Sequence, residues 1–444
     1  MKIRLLFDAD GPHISLDATV EEAPIATSLE SLLKRLKTGQ EALRSIALND
    51  LIGLCDAAAK AWTKANHPLA NVIRRYGLGF LPLWMRRGNL ETTCARSLRG
   101  YPDSLDRFVH WSANDSAHYR AQPRGLVVHW VAGNVPVLGL LSMLQALLCK
   151  NANLLKASHV SPGLLPQLLQ GFADVEYVNP QGERIAGTLV SEATAAIYVE
   201  RDDREAACAL SEAADVRVAW GGREAVESVM RLPRRLGTED IVFGPKTSFA
   251  VIGAERLSNE ADARRVAQAL ARDCVAFDQQ GCNSPHTVFV ELGGAIAPDH
   301  FAAVLGEEMA RVTTQSPPME LSPSEAARVL TVRTEYDMRG EAHYGADLAW
   351  TVAYAPEDQG LAEPCYGRTL FVRPVADVFS VVPWVTQEVQ TIGLAVDDSR
   401  HALADALTGR GAARCPEVGN MRLYDSPWDG LFPMDRLVRW VSTG

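Results

Sequence analysis

The sequence predicts an α/β protein: two parallel-sheet α/β domains, the first preceded by a helical N-terminal region. Three observations predict it. From Gly125 onward, short apolar β-branched runs alternate with stretches of helical character, the pattern of strands joined by helical crossovers. The alternation breaks at Gly244-Pro245 and resumes near Thr247. Before it begins, apolar residues recur at three-to-four spacing instead.

The elements follow in order. Ser28 to Leu36, Gln40 to Leu54 and Leu69 to Tyr76 read as helices. Leu126–Val131 is a buried strand, Ala132–Pro136 a loop and Val137–Cys149 a packed helix. Asn153–Lys156 is a short strand. Ser161–Phe172 is a helix opened by Ser161 and Pro162. Ala195–Val199 is a strand, Asp203–Ala213 a helix, and Val216–Ala219 a strand ending in Gly221-Gly222. In the second domain Phe249–Ile252, Thr287–Glu291, Leu370–Val375 and Thr391–Val396 are strands. Glu260–Asp273, His300–Arg311 and Ser324–Arg333 are helices, and the polar, Pro-rich 312–323 is a loop. Met434 to Val441 is an amphipathic stretch. The resulting division is residues 1–243, residues 244–418 and a C-terminal segment 419–444. Ligands bind such sheets at the carboxyl ends of their strands, where every candidate site below is expected.

Composition narrows the function. With 444 residues, 47% of them hydrophobic, the chain can bury more than one core. A net charge of −10 argues against broad nucleic-acid binding. The eight cysteines form no CxxC pair and no metal-like spacing, which points to free thiols, no metal and a reducing cytoplasm. No signal peptide is visible; Ile3 to Phe7 is too short and is closed by Asp8 and Asp10. Residues 125–149 carry no charge, but Gly133-Asn134-Val135-Pro136 breaks them, so a strand, a turn and a buried helix are expected in place of a membrane span.

The most informative stretch is Asp278-Gln279-Gln280-Gly281-Cys282-Asn283-Ser284-Pro285, followed at once by the β-rich Thr287 to Val290. A lone cysteine is most often a small buried apolar residue. Here its neighbours are turn formers that do not belong in a core strand, so the thiol is presented as a covalent nucleophile requires. Cys274 and the other six cysteines keep the ordinary reading.

Four further stretches accompany it. His129-Trp130-Val131-Ala132-Gly133-Asn134-Val135-Pro136 places an amide side chain just after a strand. By itself Asn134 reads as a cap of the helix that follows, and His129 as a hydrogen-bonded core histidine. Asn153-Leu154-Leu155-Lys156-Ala157-Ser158-His159 ends a strand on a lysine. Ala219-Trp220-Gly221-Gly222 ends another on a glycine pair, where backbone can approach a dinucleotide closely, although no GxGxxG is present. Asp240-Ile241-Val242-Phe243-Gly244-Pro245-Lys246 closes the first domain.

In this order the motifs resemble the aldehyde dehydrogenase superfamily, and Gln-Gly-Cys-x-Ser-Pro with Trp-Gly-Gly resembles its LuxC-type acyl-CoA reductases. Gln390-Thr391-Ile392-Gly393 and Ser426-Pro427-Trp428-Asp429-Gly430 also resemble that type, without a mechanistic role. The resemblance covers about residues 120–444 and implies an aldehyde-dehydrogenase-like fold, with Cys282 and Asn134 catalytic and Asn134 donating to the oxyanion. It implies cofactor binding by Lys156, Ser158, His159, Trp220, Gly221 and Gly222. His159 stands where the superfamily has a ribose-binding glutamate that repels a 2′-phosphate, which favours NADPH. Val242 stands where hydrolytic relatives carry the water-activating glutamate, which favours aldehyde formation. The implied partners are an acyl-CoA or carrier-bound acyl thioester and an acyl-activating enzyme, with a homo-oligomeric assembly. An aldehyde dehydrogenase, an acyl-phosphate reductase, a cysteine-dependent acyltransferase or thioesterase, and a non-catalytic scaffold stay open.

Overall fold

The computed structural model describes residues 2–26, 28–112, 116–133, 135 and 137–444. The chain forms two compact units. One is the chain up to Gly244 together with Asp425–Gly444; the other is Pro245–Tyr424. The segment after Gly419 is therefore shared. Gly419 N–H and Arg422 hydrogen-bond Asp273 in the second unit, while Asp425 pairs with Arg96 in the first.

In the first unit β1 (Ile3–Asp8) and β2 (Gly11–Pro12) precede the helices Leu29–Ser45, Leu48–Trp62, Leu69–Arg75, Phe80–Trp84 and Arg87–Ser97. Then come β3 (His118–Pro123), β4 (Leu126–Trp130), β5 (Ala152–Lys156), the small hairpin β6 (Glu176–Val178) and β7 (Arg184–Ala186), β8 (Thr194–Val199), β9 (Val216–Trp220) and β10 (Glu239–Phe243). The main sheet has the order β10-β9-β4-β5-β8-β1-β2. β10, β9, β4, β5 and β8 are parallel; β1 lies antiparallel to β8, and the short β2 pairs antiparallel with β1 at the edge. The N-terminal region is helical apart from β1 and β2, but the helix expected from Gln40 to Leu54 is broken at the extended Ile46 and Ala47, which separate Leu29–Ser45 from Leu48–Trp62. The short run Ile-Arg-Leu-Leu-Phe pairs with a strand nearly two hundred residues away, so nothing local marks it.

The second unit carries β11 (Thr247–Ile252), β12 (Pro285–Glu291), β13 (Glu341–Tyr344), β14 (Thr351–Tyr354), β15 (Thr369–Val375) and β16 (Val389–Ala395), ordered β13-β14-β15-β12-β11-β16. Only β13, at the edge, is antiparallel. Both faces are covered, as a parallel sheet requires. Ala250, Ile252, Val288 and Val290 join the core under the helices Glu260–Val275 and Pro298–Gln315, while Phe249, Val251 and Phe289 join a second core on the other face.

Three local expectations need correction. Pro298–Gln315 continues into the segment expected as loop; Thr314 Oγ1 donates back to Ala310 O and Arg311 O, and Ser316-Pro317-Pro318 then ends the helix. The amphipathic C-terminal stretch is one short helix, Pro433–Arg436, and then β17 (Val438–Thr443), which pairs antiparallel with β3. Helix Leu164–Gln170 is shorter than expected, since Ser161 adopts φ 49°. The uncharged 125–149 stretch forms β4 and the buried helix Val137–Leu148. Among the described residues no helix is long and apolar enough to cross a membrane.

Candidate active site

The parallel strands of the first unit end together, and their ends surround a cleft of ≈ 620 Å³. Lys156, Ser158, His159, Trp220, Gly221 and Gly222 all line it. These residues lie far apart in sequence but meet because β5 and β9 flank β4 in register.

Lys156 is the last residue of β5, and its ammonium lies 5.8 Å from the centre of the Tyr198 ring. Burial pulls its pKa below the usual lysine value, and Glu200 partly offsets this. Ser158 sits close to Gly133: a Cβ there would lie 2.8 Å from Ser158 Oγ, so a larger residue would displace that hydroxyl. His159 is exposed at the rim. Trp220 stacks on Phe243 at 3.9 Å, and its buried Nε1 has no hydrogen-bond partner among the described residues. Gly221 has φ 154°, and Gly222 opens helix Arg223–Met230 without a side-chain cap. Nothing stands within 4 Å of where a Gly222 side chain would begin. Uncapped first-turn N–H groups beside an open glycine are the arrangement that receives a pyrophosphate. The Trp220 indole and the half-buried Lys156 line the same cleft, so the lining fits a phosphate-bearing dinucleotide. Among the described residues no group of His, Cys, Asp or Glu is placed to hold a metal ion.

Asn134 lies outside the described residues; Val131, Ala132 and Gly133 beside it line the cleft. His129 is wholly buried, with Nδ1 2.8 Å from Ser142 Oγ and Nε2 3.0 Å from Asn153 Oδ1. Burial pulls its pKa to about 4, so it is a neutral, satisfied core histidine.

Val242 lies in β10 beside Ala219 of β9. Its acidic neighbours are both engaged. Glu239 pairs with Arg124 and Arg436; Asp240 receives Arg217 at 2.6 and 2.9 Å and Arg234 at 2.6 Å. Neither carboxylate is a free base.

Cys282 belongs to the second unit and is partly exposed, as are Cys208 and Cys415; the other five cysteines are buried, and all eight are free thiols. Burial pushes Cys55 and Cys94 up to about 12 and Cys415 to about 11, and raises Cys149, Cys274 and Cys365 as well. Those thiols stay protonated and poorly nucleophilic. One expectation is corrected here. Cys282 precedes β12, so it sits at the amino end of its strand, unlike the cleft residues at carboxyl ends. A loop that enters a strand places its last turn before the strand's first residue.

The Cys282 loop is held by residues the sequence did not single out. Ser248 Oγ donates to Cys282 O at 2.6 Å and accepts from Thr391 N–H at 3.1 Å, which gives the Gln390–Gly393 motif a structural role. Buried Asn283 donates to Met421 O at 2.9 Å. Gly393 lets Met421 approach; a Cβ there would lie 2.4 Å from its Sδ. The Ser426–Gly430 motif is also structural. Asp429 (φ 49°) and Gly430 (φ 74°) form a tight turn closed by mutual Trp428–Leu431 backbone bonds, and Ser426 Oγ meets Ser97 Oγ at 2.7 Å.

Comparison with known proteins accords with this layout. The family described as acyl-CoA reductase (LuxC) matches residues 43–440. Long-chain acyl-protein thioester reductase 2 of Photobacterium leiognathi is 28% identical over 337 residues, covering 75% of this chain and 66% of that protein. The long-chain acyl-protein thioester reductase of Aliivibrio fischeri is 29% identical over 345 residues (76% and 68%), and that of Photobacterium phosphoreum 26% over 420 residues (91% and 82%). Among solved structures, an NAD-dependent benzaldehyde dehydrogenase from Corynebacterium glutamicum superposes with TM-score 0.61 at 11% identity, over 99% of this chain and 95% of that one. The 3,6-anhydro-L-galactose dehydrogenase solved in complex with NAP gives 0.57 at 14% identity (99% and 96%), and Bradyrhizobium japonicum proline utilization A gives 0.63 at 14% (93% and 44%). With the family match spanning nearly the whole chain and the fold shared with aldehyde dehydrogenases, this protein belongs to the acyl-CoA reductase (LuxC) family.

Proposed function

We propose that this chain reduces a long-chain acyl thioester, carried by CoA or by a protein, to the aldehyde, using NADPH and an acyl-enzyme on Cys282. The observation that carries the reading is the single cleft lined by Lys156, Ser158, His159, Trp220, Gly221 and Gly222, in a chain of the acyl-CoA reductase family. The relatives' names supply the long-chain, protein-borne thioester.

In this reading the Cys282 thiolate adds to the thioester carbonyl, and Asn134 donates to the resulting oxyanion. Collapse expels the CoA or carrier thiolate, which takes up a proton, and leaves the acyl group on Cys282. Held by Lys156, Ser158, Trp220 and Gly221-Gly222, NADPH would supply the hydride that reduces this acyl group to the thiohemiacetal. The thiohemiacetal then breaks its C–S bond, regenerating the thiol and freeing the aldehyde. Lys156, Ser158 and Trp220 orient the dinucleotide, and Gly221-Gly222 admits its pyrophosphate. His159, in place of a carboxylate, leaves room for the 2′-phosphate; the relative solved with NAP shares only the fold.

The division 1–243, 244–418 and 419–444 into cofactor-binding, catalytic and oligomerising parts belongs to the same reading, as do a cytoplasmic setting, a homo-oligomer and an acyl-activating partner enzyme. The test is NADPH consumption across a panel of acyl-CoA thioesters, with aldehyde identified as product. Cofactor-independent release of free acid at a comparable rate would replace the reductase with a thioesterase.

A further inference from the structure

The turn before Cys282 is unusual in its backbone. Phe277, Asp278 and Gln279 have φ of 53°, 50° and 64°, three successive left-handed residues without a glycine. A second run, Tyr366, Gly367 and Arg368 (64°, 60° and 55°), lies immediately before β15. L-residues resist this conformation, and such strain persists only where surrounding contacts over-determine it.

The contacts are specific. The fully buried Gln279 donates from Nε2 to Pro285 O at 2.8 Å and Thr369 O at 2.7 Å, and its Oε1 accepts Thr369 N–H at 2.9 Å. Pro285 starts β12 and has no N–H, and Thr369 starts β15, so the ladder between these parallel strands lacks a donor there. The Gln279 carboxamide supplies the missing bonds with both its protons. Beside it Arg368, 2% exposed, donates to Asp278 Oδ1 at 2.6 Å and to Ser316 O at 2.7 Å, while Asp278 Oδ2 accepts Met319 N–H at 2.8 Å. The two left-handed runs are thus clasped at both Asp278 and Gln279.

We propose that Gln279 is a positioning residue: by clasping the left-handed turn to the starts of β12 and β15, it aims the Cys282 thiol for acyl transfer. The inference rests on Cys282 being the nucleophile. Glutamate keeps the acceptor and loses both donors, and methionine keeps the volume and loses all three bonds.

The test uses the full chain, with palmitoyl-CoA as acyl donor and mass-mapped acyl-cysteine as readout. Wild type should carry the adduct on Cys282. In Gln279→Met the acylation rate constant at saturating thioester should fall roughly 10- to 100-fold, because small misplacements of a reacting atom are that costly. The apparent KM for palmitoyl-CoA and the NADPH affinity should stay within about two-fold, since the dinucleotide cleft is untouched. Gln279→Glu adds a readout that lost stability would not move. Its introduced carboxyl faces two carbonyl oxygens, so its pKa should rise, and protonation should restore one donor. The ratio of variant to wild-type acylation should therefore climb as pH is lowered. A ratio that stays flat with pH, or Gln279→Met acylating within two-fold of wild type at Cys282, overturns the positioning role. An adduct on another cysteine in wild type overturns the nucleophile itself. Should Gln279→Met fail to fold, the pH ratio of Gln279→Glu decides alone.

Discussion

At the residue scale, Cys282 and the glycine pair were legible because their signals are local. A thiol among turn formers and two glycines after a strand each announce a conformation without reference to the rest of the chain. Cys282→Ala should abolish the acyl adduct and reduction while leaving NADPH affinity within a few-fold; an adduct that persists on Cys208 or Cys415, the other partly exposed thiols, would show the nucleophile was misassigned. His159→Glu should lower the kcat/KM preference for NADPH over NADH by at least about ten-fold, since a carboxylate opposes the 2′-phosphate. An unchanged ratio would move 2′-phosphate selection to another cation such as Arg201 or Arg223, which share the cleft. Gln279 was not legible. Its partners Pro285 and Thr369 include one 90 residues away, and a glutamine beside a nucleophile carries no mark of what it bonds.

Elements were legible in type and less so in their ends. Strands of the two parallel sheets bury both faces and read as continuous apolar runs, which the sequence shows directly. β1 was missed because its antiparallel partner β8 is remote. The C-terminal stretch mixes apolar and polar residues in a way that suits a helix, yet it pairs with β3, and Trp440 packs edge-on against Trp111 at 5.4 Å. At this scale Gly393→Ala should push a methyl group against Met421 and cost about 1–3 kcal/mol. Thermal melting should fall by several degrees, and a melt within one degree would show that Met421 yields freely. Val242→Glu places a carboxylate on β10, where the engaged Glu239 and Asp240 offer no free base. Without NADPH the variant should release free acid from the acyl-enzyme faster than wild type, measured as free acid and free CoA.

For the whole molecule, each unit buries a histidine whose neutrality the fold enforces. Burial holds His129 in the first unit and His286 in the second at about 4, below the ordinary 6.5. The unfolded chain therefore binds more protons between these values. Stability contributed by the neutral forms is present above the unfolded pKa and is lost as pH falls through that window, by on the order of 3 kcal/mol for each histidine at the lower end. Melting temperature should drop as pH is lowered from the upper to the lower value. His129→Gln should flatten part of that slope, and an unchanged slope would remove His129 from the acid response.

The sequence by itself determined the alternation of strand and helix, the cleft residues at strand ends and the turn that leaves Cys282 partly exposed. Each of these rests on local periodicity, turn chemistry or a residue's place one step beyond a strand. Only the tertiary structure decided that Glu239 and Asp240 are spent on arginines, that Cys282 sits at an amino end, and that Ser248, Asn283 and Gln279 hold its loop. Those outcomes depend on which buried polar group finds which partner. Such pairings are made between residues that only the packed sheet brings together, where a lost hydrogen bond can no longer be replaced by water.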